Sequence, residues 1–243
     1  MLSKVNSMAL QGLEGYLVDV QVDVSNSMPS WDIVGLPDTS VKEAKERVKT
    51  AIKNSGYELL SKKIVINLAP ADTKKEGSIF DLPIAVGILA DLGEIHNKDL
   101  EEIGFIGELS LDGTLNRING VLPMCIEAQK LGIKKIIVPK ENAEEAAIVK
   151  GIEVLGGTTL KEVVQYLNND KEIEQIKVDL NKIFENQDKY LMDFSEVKGQ
   201  ENIKRALEIA AAGGHNCLLI GSPGSRKNYD GKKNSINTSR FKF

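Results

Sequence analysis

Residues 66–90 read INLAPADTKKEGSIFDLPIAVGILA and hold a strand, a polar loop and an apolar helix in close succession. We predict the strand over Lys63 to Ala69, because the proline that follows has no backbone N–H to continue a ladder. The stretch Lys74 to Ser78 is polar and contains glycine, which predicts a loop. Asp81 can then cap a helix over Leu82 to Leu92. This helix is apolar on almost every side, so it must lie in the centre of the core.

The chain before this stretch carries two strand patterns and one helix pattern. Val18 to Val24 alternates valine with polar residues, which is typical of a strand with one wet face. A second extended segment covers Ser30 to Val34. Asp38 to Ser40 offer N-caps for a helix that Asn54 to Gly56 end. The apolar face of this helix comprises Val41, Ala44, Val48, Ala51 and Ile52.

Strand and helix patterns alternate from Ile103 onward, which favours an α/β layer with right-handed crossovers. The predicted strands are Ile103 to Leu109, Lys135 to Val138 and Ile152 to Leu155. The predicted helices are Val121 to Leu131, Ala143 to Val149 and Leu160 to Leu167. A charge-dense stretch, Asn168 to Tyr190, then indicates a surface helix or a linker, and we place the domain boundary there. Beyond it we predict a helix over Gln200 to Ala212, with an apolar face of Ile203, Ala206, Leu207 and Ala210, and a short buried strand over Asn216 to Ile220.

The composition of the 243 residues is that of a globular chain, with 31 Lys and Arg against 35 Asp and Glu. There is no overall basic field for nucleic acid, although a local patch remains open. No apolar run approaches the length of a membrane span and the first residues lack a signal-peptide core, so we expect a cytoplasmic protein without membrane contact. Cys125 and Cys217 are expected to be buried thiols. His96 and His215 are isolated, so no metal site is expected.

The predicted strand at Asn216 leads directly into a phosphate-loop pattern. A P-loop needs GxxxxGK[ST] between a strand and a helix, because backbone N–H groups cradle the phosphates, the lysine reaches them and the hydroxyl holds Mg²⁺. Gly221 fills the first position and Lys227 the lysine position, but Arg226 replaces the second glycine and Asn228 the hydroxyl. We therefore predict a degraded ATP and Mg²⁺ site that does not bind tightly. Its candidate binding residues are Gly221, Ser222, Pro223, Gly224, Ser225 and Lys227.

Residues 229–243 should begin a helix but have weak helix propensity and no apolar stripe. We expect a disordered tail; its Lys and Arg could also be interpreted as a nucleic-acid patch. A single-base frameshift would explain the ending, because a codon choice exists for the tail that, read one base later, encodes Gly-Lys-Thr. Too little sequence follows the loop for the remaining strands of an ATPase sheet, so we expect this chain to be an inactive, truncated product.

Five stretches resemble the ComM/YifB family of magnesium-chelatase-like AAA+ proteins, and together they cover nearly everything from Met1 to Ser225. They read VGLPDTSVKEAKERVKTAIKNSG, INLAPADTKKEGSIFDLPIAVGILA, IGELSLDGTLNRINGVLPM, KKIIVPKENAEEA and VKGQENIKRALEIAAAGGHN. The resemblance implies an α/β (α+β) fold: a ribosomal protein S5 domain 2-like, Lon-protease-like (ChlI-type) domain followed by an incomplete P-loop AAA+ module. It also implies a hexameric ring, ATP with Mg²⁺ as cofactors, and ATP-driven work on branched DNA in recombination.

The resemblance implies a division of the chain into four parts. We expect the Lon-like domain over residues 1–168, a charged linker over 169–190, the start of the AAA+ module over 191–228 and the tail over 229–243.

The Lon resemblance also allows a check for peptidase residues. An ungapped reading places Asp81 where Lon has its nucleophilic serine and Leu122 where it has the activating lysine. Neither side chain can replace such a pair, so we expect no catalytic residues. Ser78 lies close in sequence, and without a matched lysine it is expected to be a loop hydroxyl. Asp72, Lys74, Lys75 and Glu76 are expected to form a solvated loop, with contact to a partner or DNA as the alternative.

The sequence leaves three function classes open. The first is an ATP-binding AAA+ family member, and the second is a stand-alone, non-proteolytic Lon-like module for binding or assembly. The third, a serine peptidase, is disfavoured by Asp81 and Leu122.

Overall fold

The structure is a computed structural model that describes residues 2–59, 61–96, 99–178, 199–213 and 215–218. The chain divides into two units, Met1–Val178 and Asp179–Phe243.

The first unit is built on a mixed seven-stranded sheet in the order β3-β4-β2-β1-β5-β8-β9. Strands β1 and β2 form an antiparallel hairpin, β2 also pairs antiparallel with β4, and the other four pairings are parallel. A separate two-stranded ribbon joins β6 to β7. The strands are β1 Ser3–Gln11, β2 Glu14–Ser25, β3 Ser30–Val34, β4 Lys63–Ala69, β5 Ile103–Phe105, β6 Glu108–Leu109, β7 Leu115–Asn116, β8 Lys135–Pro139 and β9 Glu153–Gly157.

Helices cover both faces of this sheet. The helices of the first unit are α1 Thr39–Asn54, α2 Asp81–Asp91, α3 Val121–Lys130, α4 Ala143–Ala146 and α5 Leu160–Leu167. On β1, Val5 and Ala9 belong to the buried cluster that contains α1, α2 and α5, whereas Met8 belongs to the cluster of α3 and α4. Because neighbouring side chains of a strand point to opposite faces, the two clusters lie on opposite sides of the sheet.

Helix α2 is the central element of the cluster that contains α1, α2 and α5, which is the larger of the two core clusters. Every residue from Asp81 to Leu89 is buried, as predicted from its apolar sequence. The helix lies close against β2, since a Cβ added at Gly87 would come within 2.7 Å of Cγ2 of Val22. A larger residue at this position would therefore push the helix away from the sheet.

Most predicted elements are confirmed. The two strand patterns before α1, the strand over 63–69, helix α5, the cores of α1 and α3 and the helix predicted over Gln200 to Ala212 lie where the sequence places them. Asp38 caps α1 by accepting a hydrogen bond from the Val41 N–H at 2.8 Å, and the whole predicted apolar face of α1 is buried. The thiol of Cys125 is buried, as expected.

Three predictions in the first unit are wrong. The predicted strand Ile103 to Leu109 is two strands, because the Ile106 N–H still bonds the Ile137 carbonyl of β8 at 3.1 Å, whereas the Gly107 N–H bonds the Ile79 carbonyl outside the sheet at 3.0 Å. The predicted helix over Ala143 to Val149 is a single turn, Ala143–Ala146. Asp81 does not cap α2: Phe80 occupies the cap position and the Asp81 side chain bonds another helix.

The described part of the second unit is helix α6, Glu201–Gly213, followed by residues 215–218. Leu207 and Ala210 are buried, whereas Ile203 and Ala206 of the predicted apolar face are exposed. The predicted buried strand over 216–220 is wrong for its described residues, 216–218, which are exposed and belong to no strand; the rest lies outside the described residues. A strand forms only where a neighbour accepts its hydrogen bonds. Cys217 is accordingly exposed, not buried.

Candidate functional site

The predicted phosphate loop, residues 221–228, lies outside the described residues. Two of the predicted positions, Ser78 and Asp81, lie together where helix α2 begins, beside α1 and the β6–β7 ribbon.

An ion pair between the buried Asp81 and the partly buried Arg47 joins α2 to α1. Asp81 is fully buried, and its carboxylate accepts from the Arg47 Nε at 2.7 Å and from Nη2 at 3.0 Å. The Leu109 N–H adds a third bond at 3.3 Å. Burial raises the pKa of Asp81 to about 6 despite Arg47, whose hydrogen bonds and charge act in the opposite direction. The carboxyl therefore acts as a fixed cross-link between two helices rather than as a nucleophile.

A second set of polar contacts surrounds Glu108, on the ribbon beside this pair. The Ser78 hydroxyl donates to one oxygen of Glu108, and Asn116 Nδ2 donates to the other at 3.0 Å. The Ser78 hydrogen bond, followed by those of Asn116 and the charge of Arg47, lowers the pKa of Glu108 although partial burial opposes it. A carboxylate with a lowered pKa is a poor general base. Ser78 therefore has no group beside it in this contact that would activate it as a nucleophile.

The start of α2 also lacks free backbone donors at its first two residues. The Asp81 N–H bonds the Ser78 carbonyl at 3.1 Å, and the Leu82 N–H bonds the Gly107 carbonyl at 3.0 Å. An oxyanion hole needs N–H groups that point at the reacting oxygen. At Leu122, where the Lon resemblance places lysine, an aliphatic side chain stands and the backbone N–H lies 3.3 Å from Glu145 Oε1. The arrangement supports a structural role for this region.

The charged loop before α2 is only partly as predicted. Asp72, Lys74 and Glu76 are exposed, but Lys75 is fully buried, which contradicts the expected solvated position. Its ammonium donates to the carbonyls of Pro70 and Thr73, so the loop closes around it. Burial lowers the pKa of Lys75. The reason is local: backbone carbonyls replace water around the charge.

Metal binding finds no support in the described part of the chain. Across those residues, no group of three His, Cys, Asp or Glu side chains is placed to hold an ion. His96 contributes a backbone N–H to Asn168 Oδ1 at 2.9 Å, and His215 is exposed. Within the same residues, no helix has both the length and the apolar character needed to cross a bilayer.

Sequence reasoning missed Arg47 and Glu108. A signal for Arg47 existed, because it lies three residues after Ala44 and four before Ala51, beside the buried stripe of α1. A cation at the edge of a buried stripe requires an anionic partner, and Asp81 was the acidic residue next to the most apolar helix. Glu108 gave no such signal, since its contacts come from residues distant in sequence.

Comparison with known proteins identifies the relatives of this chain. The family model described as "Subunit ChlI of Mg-chelatase" matches residues 20–142, and that described as "Magnesium chelatase, subunit ChlI" matches residues 193–233. Competence protein ComM of Haemophilus influenzae is 40% identical over 227 residues, which are 93% of this chain and 44% of that protein. The uncharacterized protein YifB of Escherichia coli is 43% identical over 228 residues, which are again 93% of this chain and 44% of that protein. A more distant relative, Lon protease 2 of Bacillus subtilis, is 28% identical over 201 residues, which are 73% of this chain and 35% of the protease. The chain thus spans less than half the length of the ComM and YifB relatives it matches.

Proposed function

The chain belongs to the ComM/YifB family of magnesium-chelatase-like proteins, and from this premise we propose that it is the front portion of an AAA+ ATPase that remodels branched DNA. The observation that carries the proposal is the family match over residues 193–233, which spans the loop Gly221 to Asn228. The Haemophilus influenzae relative is named a competence protein, and the proposed work on DNA comes from the resemblance to its family. We further propose a cytoplasmic location and assembly of the intact protein into a hexameric ring.

In this proposal the phosphate loop binds nucleotide, with Lys227 at the phosphates and the backbone of Gly221 to Ser225 around them. Only part of this donor set fits ATP with Mg²⁺. Arg226 places a side chain where the backbone must approach phosphate, and Asn228 offers a neutral amide oxygen where a hydroxyl ligates the metal. We therefore expect weak nucleotide binding by this chain.

The first unit acts in this proposal as a non-proteolytic, S5 domain 2-like scaffold, with domain limits near 1–168 and a linker over 169–190. Support comes from the mixed sheet covered by helices on both faces and from the distant likeness to a Lon protease. The buried pair of Asp81 and Arg47 occupies the region where a peptidase would need its serine. Rigid attachment of α1 to α2 suits a part that transmits force or positions neighbouring subunits.

A second candidate is a stand-alone Lon-like module for binding or assembly without ATP. The division of the chain after Val178 favours it, because the first unit has its own two-sided core. Nucleotide binding separates the two candidates.

The test measures binding of a fluorescent ATP analogue with Mg²⁺ to the full chain. A double variant, Arg226→Gly with Asn228→Thr, restores the motif, and Lys227→Ala in the same background is its control. We expect weak binding by the chain itself, tighter Mg²⁺-dependent binding by the restored variant, and loss of that gain in the control. If restoration adds no binding while the first unit remains folded, the ATPase proposal fails and the stand-alone module takes its place.

A further inference from the structure

Helix α1 and the edge strand β3 border a groove of about 190 Å³ that the site described above does not use. Strand β3 brings Trp31 to it, α1 brings Lys45 and Lys49, and the segment before β4 brings Ser61 and Lys62. The lysines on α1 are four residues apart, which places their side chains on one face of the helix.

The charged side chains that line this groove are all lysines, while one carboxylate, that of Asp32, accepts a hydrogen bond at 3.1 Å from the lining residue Ser30. No Asp or Glu is among its described lining residues, and none of the three lysines makes an ion pair within the described residues. The chain as a whole carries a net charge of −4, so this local excess of positive charge is a departure from its average surface. Unpaired ammonium groups around one concave surface favour an anionic ligand.

The aromatic ring in the groove adds a second feature. Trp31 pairs with Ile64 of β4 and is half-buried, so its ring combines contact with the core and contact with the groove. The indole N–H is buried and has no acceptor among the described residues, so packing alone holds the ring there. A flat aromatic surface beside several lysines is the combination that single-stranded nucleic acids use, through base stacking and phosphate contacts.

We propose that this groove binds single-stranded nucleic acid, with phosphates at Lys45, Lys49 and Lys62 and a base stacked on Trp31. The inference rests on the proposed action on DNA and places a contact surface for the strand on the first unit. An acidic peptide could satisfy the three charges, but it would gain nothing from the aromatic ring. Duplex DNA keeps its bases stacked on each other and cannot offer one to the tryptophan.

The experiment uses the full chain without any nucleotide cofactor and a fluorescein-labelled oligothymidylate about 12 nucleotides long. Fluorescence anisotropy gives the affinity, and Trp31, which is the one tryptophan of the chain, reports stacking by its own fluorescence. The triple variant Lys45→Gln, Lys49→Gln, Lys62→Gln removes the charges. A matched triple variant at exposed lysines elsewhere, Lys4→Gln, Lys150→Gln and Lys161→Gln, lowers the net charge equally.

We expect quenching of Trp31 by the oligonucleotide and a salt dependence with a logarithmic slope of about −2 for three phosphates. The groove triple variant should bind roughly tenfold or more weakly, and the matched triple variant should change binding far less. Trp31→Leu should weaken binding about five- to hundredfold, whereas Trp31→Phe, which keeps a ring, should lose less. Circular dichroism confirms that each variant is folded.

Several results would overturn the proposal. An equal loss of affinity in the two triple variants would mean that binding depends on the net charge of the protein and not on the groove. Unchanged Trp31 fluorescence, with polyglutamate or a duplex of the same length competing as well as the single strand, would exclude stacking. Because the assay contains no ATP, these failures are distinct from failure of the phosphate-loop proposal, which rests on restoring residues 226 and 228.

Discussion

The buried carboxyl of Asp81 makes a prediction about the pH dependence of stability that a single substitution isolates. Its pKa is raised from 3.8 to about 6 in the folded protein, chiefly by burial. The folded protein therefore binds this proton more tightly than the unfolded chain. The stabilising contribution is complete below about pH 3.8 and is lost as the pH rises through about 6.

The size of this contribution follows from the shift in pKa. Each unit of difference between the folded and unfolded states corresponds to about 1.4 kcal/mol, so the whole contribution is about 3 kcal/mol. Most of it, about 2 to 3 kcal/mol, falls between pH 4 and pH 7.5. Asp81→Asn keeps the shape of the side chain and its ability to accept a hydrogen bond from Arg47, but it cannot titrate.

The assay is urea unfolding at a series of pH values, followed by the fluorescence of Trp31. This residue is the one tryptophan in the chain and packs against the larger core cluster, so it reports the first unit. We expect the free energy of unfolding of the parent protein, minus that of Asp81→Asn, to fall by about 2 to 3 kcal/mol from pH 4 to pH 7.5. Titrations of other groups largely cancel in this difference. Asp23→Asn, on the exposed part of β2, controls for the loss of one carboxylate.

Two results would refute this reasoning. A constant difference across the pH range would mean that Arg47 fully offsets the burial of Asp81 and that the carboxyl keeps its ordinary pKa. A difference that grows with pH would mean that the ion pair dominates and that the folded pKa is depressed. The control variant Asp23→Asn shows how much of any change comes only from the loss of one negative charge.

Three further predictions use residues of the same unit and of the exposed segment after α6. Gly35→Ala should destabilise the protein by more than about 1 kcal/mol, because its φ is +99° and an added Cβ would overlap the Leu68 carbonyl of β4. Gly56→Ala is the control: its φ is +93°, but open space surrounds it, so it should lower the free energy of unfolding clearly less in the same urea assay. Asp38→Ala should cost about 1 kcal/mol by removing the cap of α1, and an equal stability of the two proteins would show that the cap is dispensable. A thiol reagent at pH 8 should modify the exposed Cys217 at once and Cys125 only when the protein unfolds, because Cys125 is buried and its burial raises the pKa of the thiol to about 12. Modification of both cysteines at the same rate in the folded protein would contradict the structure.

The elements that sequence reasoning found share a strong local signal. Helix α2 could be predicted because nearly all its side chains are apolar, and α1 because its apolar residues recur on one face after a capping aspartate. Strand β1 gave no such pattern. Its buried residues include Ser7, Met8 and Ala9 in succession, since both faces of the strand are covered and alternation is lost.

The errors depend on contacts that local periodicity does not encode. The break after Phe105 depends on where Ile106 and Gly107 find carbonyl partners, on β8 and on the loop before α2. The burial of Lys75 depends on a loop that turns the carbonyls of Pro70 and Thr73, five and two residues away, toward its ammonium. The first set of partners is distant in sequence and the second is close, but neither follows from the spacing of apolar residues.

The pair of Asp81 and Arg47 explains why one change could not create peptidase chemistry at this position. Asp81→Ser would remove the anion that Arg47 faces and leave its guanidinium, among the described residues, with the Ser40 carbonyl at 3.1 Å, Glu43 at 4.0 Å and the charge of Glu108. The new hydroxyl would lie beside a cation and a carboxylate of lowered pKa, with leucine at position 122 where a lysine base is needed. Removing one partner of a fully buried pair costs about 3–5 kcal/mol; because Arg47 is only partly buried and would regain some hydration, the variant should lose less than this, without gaining a nucleophile. The same contact that closes the route to proteolysis holds the two helices of the larger core cluster together, which is the property a scaffold for neighbouring subunits or for a bound strand requires.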